Sequence, residues 1–229
     1  MRQPLVYVVD DDPSILSALR RVLSAAGHEV VCFLDAESFV EQQNPDAPGC
    51  AVVDLDLPGM NGLEIPRQLA STGSNRSLIY LSGKGDIPAS VRAMKLGAVD
   101  FLTKPVPSAV LLDAVATAVE RDAAAREQNE RVKSVDERLG RLTPRERQVL
   151  GLVVEGLLNK QIAFQLGTVE KTVKVHRARM MAKMEVHTVA DLVRMMTLYR
   201  ESAGEPAHSQ ESSLDEDDVD TDSYSGEFN

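Results

Sequence analysis

Five short apolar runs recur through the first half of the chain, and each is followed by a stretch with helical spacing. LVYVV precedes SILSALRRVLSAAG, VVCF precedes AESFVEQQ, CAVVD precedes GLEIPRQLAS, SLIYLSG precedes SVRAMKLG, and AVDFLTKP precedes SAVLLDAVATAVE. Strand-then-helix repetition of this kind predicts an open α/β sheet of parallel strands with helices on both faces. Ligands of such sheets bind in the loops beyond the carboxyl ends of the strands.

That rule gives meaning to the acids that end two of the runs. VVDDD places Asp10, Asp11 and Asp12 just past the first strand, and CAVVDLD places Asp54 at the end of the third, with Asp56 two residues on. A flavodoxin-like, doubly wound order of 2-1-3-4-5 makes those strands neighbours, so the carboxylates converge on one crevice. Asp12, followed by Pro13, reads as the N-cap of the first helix. Asp10, Asp11 and Asp54 have no such explanation. Crowded carboxylates repel unless a cation or proton offsets them, and their oxygens suit Mg²⁺, a hard ion that keeps waters and accepts phosphate oxygens. Ser82 and Lys104 follow the fourth and fifth strands and bring a hydroxyl and an ammonium to the same edge. A metal site, a carboxylate nucleophile and an anion clamp are the parts an acyl-phosphate intermediate needs.

Four segments in order, VVDDD, VVDLDLPGMNG, LSG and FLTKP, make residues 4 to 121 resemble a response-regulator receiver domain. The resemblance implies Asp54 as phosphoacceptor, and Mg²⁺ held by Asp11, Asp54 and the carbonyl of Asp56, with Asp10 acting through water. It further implies Ser82 and Lys104 as the grip on the phosphoryl group and Phe101 as a switch aromatic that moves with Ser82. A cis bond before Pro105 is also expected. Asp56 and Lys84, two residues past nucleophile and hydroxyl, are expected to face each other and slow attack by water.

The overall charge of -10 conceals a strong asymmetry. Residues 1 to 120 carry 15 acids and 9 bases, residues 141 to 200 carry 5 acids and 11 bases, and residues 201 to 229 carry 10 acids and no base. A basic module is therefore followed by an acidic end. From Pro107 to about Leu139 a helical pattern runs almost unbroken, roughly 50 Å at about 1.5 Å per residue. Leu111, Ala114, Ala118, Ala125, Val132, Val135, Leu139 and Leu142 share one register with Arg121 and Gln128, which leaves a charged spacer and a two-stranded coil as alternatives. The expected division is a receiver over 1–121, a helical linker over 122–140, a DNA-binding module over 141–201, and a disordered acidic tail over 202–229.

Within the basic module, Thr143-Pro144-Arg145-Glu146 reads as a capping box with Pro at the first helical position. NKQIAFQLG and EKTVKVHRARMMAKM follow as two further helices. On a helical wheel Val173, Met180 and Met184 lie opposite Lys171, Lys174, Val175, Ala178 and Ala182, with Arg179 and Lys183 flanking towards phosphates. The motifs LTPRERQVL, GLLNKQIA and TVKVHR make this segment similar to the LuxR-type helix-turn-helix, and with the receiver the chain resembles a NarL/FixJ-type transcriptional regulator. By that resemblance Lys174 and Val175 meet base edges, Thr172, His176, Arg177 and Arg179 meet the backbone or flanking bases, and Lys160 reaches a phosphate. Leu158 and Val169 depart from the family at two helix caps, which implies a softer module. The stripe Val189, Leu192, Val193 and Met196 on the last helix is either a dimer seam or packing within the module.

These readings predict a transcription regulator, not an enzyme. It accepts phosphate on Asp54 from a sensor histidine kinase and binds double-stranded promoter DNA, as a homodimer once phosphorylated, with RNA polymerase as a further partner. The alternative is a receiver acting by protein contact or as a phosphate sink, with a non-functional DNA-binding module. No long apolar run and no signal-peptide pattern are present, so a cytoplasmic location away from membranes is expected. Cys32 and Cys50 lack ligand spacing and read as small buried residues.

Overall fold

The computed structural model describes residues 3–83 and 87–203; Lys84 and residues 204–229, on which two expectations rest, lie outside that range. Strands β1 (Leu5–Val9), β2 (Glu29–Phe33), β3 (Gly49–Asp54), β4 (Ser77–Ser82) and β5 (Asp100–Thr103) form one sheet in the order β2-β1-β3-β4-β5. Every pairing is parallel, which bears out the flavodoxin-like, doubly wound order. Helices α1 (Pro13–Ala25), α2 (Ala36–Gln42), α3 (Ile65–Ser71), α4 (Ile87–Lys95) and α5 (Ser108–Gly140) connect and cover it.

The two-residue period of a strand sends alternate side chains to opposite faces. Val6, Val8, Cys50, Val52, Ile79 and Leu81 pack with Leu16 and Leu23 of α1 and with Leu111, Val115 and Ala118 of α5. Tyr7, Val9, Ala51, Val53 and Tyr80 pack with Phe39 of α2, Ile65 and Leu69 of α3, and Ala93 of α4. Both faces are thus buried, which is why the strands read as continuous apolar runs. Cys50 is fully buried, its thiol pushed up to about 12 by loss of water, and Cys32 is half-buried; both are free.

Register places the functional edge. Val9 lies opposite Val53, so Asp10 and Asp54 leave the sheet side by side. At the other edge β1 and β3 approach closely: Gly49 has φ +134°, and a Cβ there would sit 1.9 Å from the carbonyl oxygen of Leu5. The Gly49 N–H donates to the buried Asp122 carboxylate at 2.9 Å. Arg126 pairs with that carboxylate at 2.7 Å and donates to the carbonyls of Pro45, Asp46 and Ala47.

This pinning bears on the long helix. The described residues divide into two compact units that meet between Ser134 and Val135, inside α5. The expected linker start at 122 therefore lies on residues anchored to the sheet, because Asp122 and Arg126 satisfy backbone groups of the loop before β3. The single register read along α5 is also shared out. Leu111, Ala114 and Ala118 belong to the sheet core, whereas Val135, Leu139 and Leu142 belong to the core of the second unit. Those six positions are occupied within the chain and are not a coiled-coil seam.

The second unit contains α6 (Pro144–Val154), α7 (Asn159–Gln165), α8 (Glu170–Lys183) and α9 (Val189–Ala203). The Thr143 hydroxyl accepts from the Glu146 N–H at 3.3 Å, and the Glu146 carboxylate accepts from the Thr143 N–H at 2.9 Å, completing the capping box. Val149, Val153, Ile162, Val173, Met180, Met184, Leu192 and Met196 form its core. Leu192 and Met196 are thereby committed to packing within the module, which removes the centre of the supposed dimer seam. Leu158 and Val169 begin α7 and α8 with no side-chain cap bond; at Leu158 only its own N–H is satisfied, by Gln161 at 2.8 Å.

Gly49→Ala is expected to destabilise the sheet by more than about 4 kcal/mol, because strained φ and a backbone clash act together. Chemical denaturation of the purified variant checks this, and a loss below about 1 kcal/mol would show that the strands can part without cost.

Candidate functional site

At the carboxyl edge of the sheet Asp10 is fully buried, Asp54 is nearly so, and Asp11 is exposed. Oxygens of the three carboxylates lie within 4.8 Å of one another, so the group can hold a metal ion. The two neighbouring loops shape the cluster with backbone donors: the Asp12 N–H donates to Asp10 at 3.0 Å and the Asp56 N–H to Asp54 at 3.3 Å. Asp12 itself caps α1 through the Ser14 N–H at 2.8 Å, and its bonds to the Ser14 side chain and backbone hold its carboxyl below the usual range.

Lys104 supplies the cation. Its Nζ donates to Asp10 at 2.6 Å and to Asp54 at 3.0 Å. Burial opposes the ammonium charge, but the hydrogen bonds and attraction of both carboxylates prevail and raise its pKa above the ordinary lysine value. Three carboxylates against one ammonium still leave an anionic pocket, the donor set that a hard divalent cation fits. The peptide bond from Lys104 to Pro105 is cis, as expected. Ser82 lies buried at the end of β4, and its carbonyl accepts from the Lys104 N–H at 2.8 Å, which ties together the ends of the two strands. Phe101 is half-buried and packs against the core on the α4 side. The Asp56 side chain is exposed, and its supposed partner Lys84 is outside the described residues.

Two positioning groups escaped the reading of the sequence. Gly62 sits so close to the strand end that a Cβ there would lie 2.9 Å from the Asp54 carbonyl oxygen. Its own carbonyl accepts the Tyr80 hydroxyl at 2.9 Å, and Gly62 N–H donates to Leu55 at 3.2 Å. The loop after Asp54 is thus folded back against the strand that carries it. A glycine inside VVDLDLPGMNG was the available signal. Nothing in the sequence ties Tyr80 to it.

In the second unit Lys160, Lys171, Lys174, Val175 and Arg179 are exposed, while Thr172, His176 and Arg177 are half-buried. Val173, Met180 and Met184 on the other side of α8 are fully buried, in agreement with the wheel. Lys174 pairs with Glu170 at 2.9 Å on the helix surface, a pair that solvent screens. Arg177 donates to Asn159 at 2.9 Å and so links α8 to the start of α7.

The family described as the response regulator receiver domain matches residues 6–116, and that of bacterial regulatory proteins, luxR family, matches residues 140–196. Nodulation protein W of Bradyrhizobium diazoefficiens is 42% identical over 206 residues, covering 90% of this chain and 91% of that one. The response regulator protein TodT of Pseudomonas putida is 41% identical over 201 residues, covering 88% of each. Among solved structures, the response regulator StyR is 42% identical with a TM-score of 0.77, covering 86% of this chain and all of the other. No helix among the described residues is long and apolar enough to cross a membrane.

One base placed towards phosphates by the sequence is held elsewhere. Lys183 Nζ donates to the buried Glu146 carboxylate at 2.6 Å, because that acid, fixed in place by the capping box, needs a cation. Lys183 first, and then the Thr143 N–H, hold the Glu146 carboxyl down at about 2, from an ordinary 4.5. A depressed folded pKa adds stability above about pH 4.5 that is lost as pH falls towards 2. Lys183→Met is expected to flatten this part of the pH dependence of unfolding. Parallel pH profiles for wild type and variant would refute the pairing.

Proposed function

The chain belongs to the response regulators that join a receiver domain to a LuxR-type DNA-binding domain, and from that premise we propose how its residues carry the signal. It is a phosphorylation-dependent transcriptional regulator, not an enzyme, with a histidine kinase and DNA as partners. The division proposed is a receiver over 1–121, a linker over 122–140 whose first turns stay tied to the receiver through Asp122 and Arg126, a DNA-binding module over 141–201 and an acidic tail over 202–229.

Asp54 is the phosphoacceptor. One of its carboxylate oxygens attacks the phosphorus of a phosphohistidine on the kinase; a P–O bond forms, the P–N bond breaks, and its electron pair returns to the imidazole. Asp11 and Asp54, with the carbonyl of Asp56 and Asp10 acting through water, would hold Mg²⁺, whose charge offsets that of the phosphoryl oxygens. Lys104, already bonded to Asp54, pairs with the dianionic phosphoryl group of the resulting acyl phosphate. Ser82 donates its hydroxyl to a phosphoryl oxygen, and Phe101 turns inward as Ser82 moves. The convergence of Asp10, Asp11 and Asp54 with Lys104 bridging two of them carries this reading.

Phosphorylation then favours a homodimer in the cytoplasm, whose two copies of α8 occupy half-sites about one duplex turn apart. Lys174 and Val175 read base edges; Thr172, His176, Arg177 and Arg179 contact the backbone or flanking bases, and Lys160 a phosphate. RNA polymerase is the downstream partner. Lys183 has no part in this contact.

Acetyl phosphate with Mg²⁺, or the cognate kinase, is expected to add one phosphate to the wild-type protein by mass spectrometry and none to Asp54→Asn. Equal labelling of the two, or none of either, sinks the assignment. For DNA, Arg179→Ala should lower the log–log salt slope of affinity by about 1, whereas Val175→Ala should relax sequence preference at one position with the slope unchanged. Binding titrations at several salt concentrations separate the two roles.

A further inference from the structure

Carboxylates in the second unit are unevenly distributed among its bases. Glu185 takes Arg138 and Arg141 at 3.0 and 3.1 Å, Glu146 takes Lys183 at 2.6 Å, and Glu170 takes Lys174 at 2.9 Å. Among the described residues Lys160, Lys171, Arg177 and Arg179 on α7 and α8 have no carboxylate partner, and neither do Arg145 and Arg147 on α6 or Arg194 and Arg200 on α9. Density of charge, not pairing, sets two helices apart: α7 and α8 carry six bases against the single acid Glu170, whereas α6 carries two against one and α9 two against two. Lys160, Lys171, Lys174 and Arg179 are exposed among those six, so α7 and α8 form the cationic face of the unit.

The same chain carries a matching anion. Beyond Ala203, where α9 ends, residues 204–229 hold nine Asp and Glu and no Lys or Arg, and six of those acids fall within Asp215–Asp222. Resting on the reading of α7 and α8 as the DNA contact, we propose that Asp215–Asp222 occupies this cationic face within the same molecule and competes with DNA for it.

Reach permits the contact. Eleven residues lie between Ala203 and Asp215, and that stretch spans up to about 40 Å when extended. A module of some sixty residues has a radius of gyration of only about 10 Å. Tethering gives the segment an effective concentration on the millimolar scale, comparable to or above typical non-specific DNA dissociation constants of about 10⁻⁴ to 10⁻⁶ M. Charge also selects the surface. Residues 1 to 120 carry 15 acids against 9 bases and repel the segment, whereas residues 141 to 200 carry 11 bases against 5 acids. With only Leu214 and Val219 as aliphatic residues near the acids, the contact is electrostatic and weakens with salt over a Debye length of about 8 Å at physiological strength.

The test compares the full chain, a chain ending at Ala203, and a full-length chain with the acids of 215–222 changed to Asn and Gln, each titrated with a mixed-sequence duplex. At about 50 mM salt both variants should bind roughly tenfold tighter than the full chain, and the gap should close as salt rises. Amide NMR signals of Lys171, Lys174 and Arg179 should also shift between the full and shortened chains without DNA. Equal DNA affinity for all three, or unmoved amide signals, overturns the proposal and leaves the DNA-binding reading intact. Failure of all three to bind DNA instead refutes that reading and this inference with it.

Discussion

Three carboxylates held within 4.8 Å by two adjacent parallel strands make an electrostatic debt that the rest of the first unit is arranged to offset. The β1–β3 register forces the convergence, since Val9 opposite Val53 leaves Asp10 and Asp54 no room to separate. Lys104, arriving from the end of β5, cancels part of the repulsion and is itself held charged by it. Lys104 bridges the acids at the ends of β1 and β3 from the end of β5, so the charge balance of the three strand ends is shared.

The frame around the pocket is stiff where the chemistry needs it. Gly62 folds the loop after Asp54 against its own strand, and the Tyr80 hydroxyl, its pKa raised by burial, keeps that fold in place. At the opposite edge Asp122 and Arg126 tie α5 to the loop that leads into β3. The strand that bears Asp54 is therefore fixed at both ends, once by its following loop and once by the long helix. In the second unit the interior charge is paired, as in Glu146 with Lys183, while bases on α7 and α8 face solvent.

Several features could be read without coordinates because they depend on neighbours in the chain. The Asp12–Pro13 cap, the Thr143–Glu146 box, the apolar strands and the buried side of α8 each follow from spacing of one to four residues or from strand period. Leu158 and Val169 as uncapped helix starts were equally visible, since neither side chain can accept a hydrogen bond. Where the reading failed, the partner was distant. Lys183 resembles any other base on a helix until Glu146, 37 residues earlier, is seen beneath it. The heptad-like series along α5 is one pattern in the sequence and two separate cores in space. Leu192 and Met196 offered the same apolar stripe whether they faced a second copy or their own module.

Residue order alone thus dictated which segments become strands and helices, which carboxylates reach the edge of the sheet, and where basic charge gathers, because periodicity and local hydrogen bonding act over a few residues. Folding decided which polar groups are matched: the Asp10 carboxylate meets the Lys104 ammonium across 94 residues, and the Gly49 N–H meets the Asp122 carboxylate across 73. Such contacts depend on strand order and helix packing, so their partners emerge only when distant parts of the chain are brought within a few ångströms.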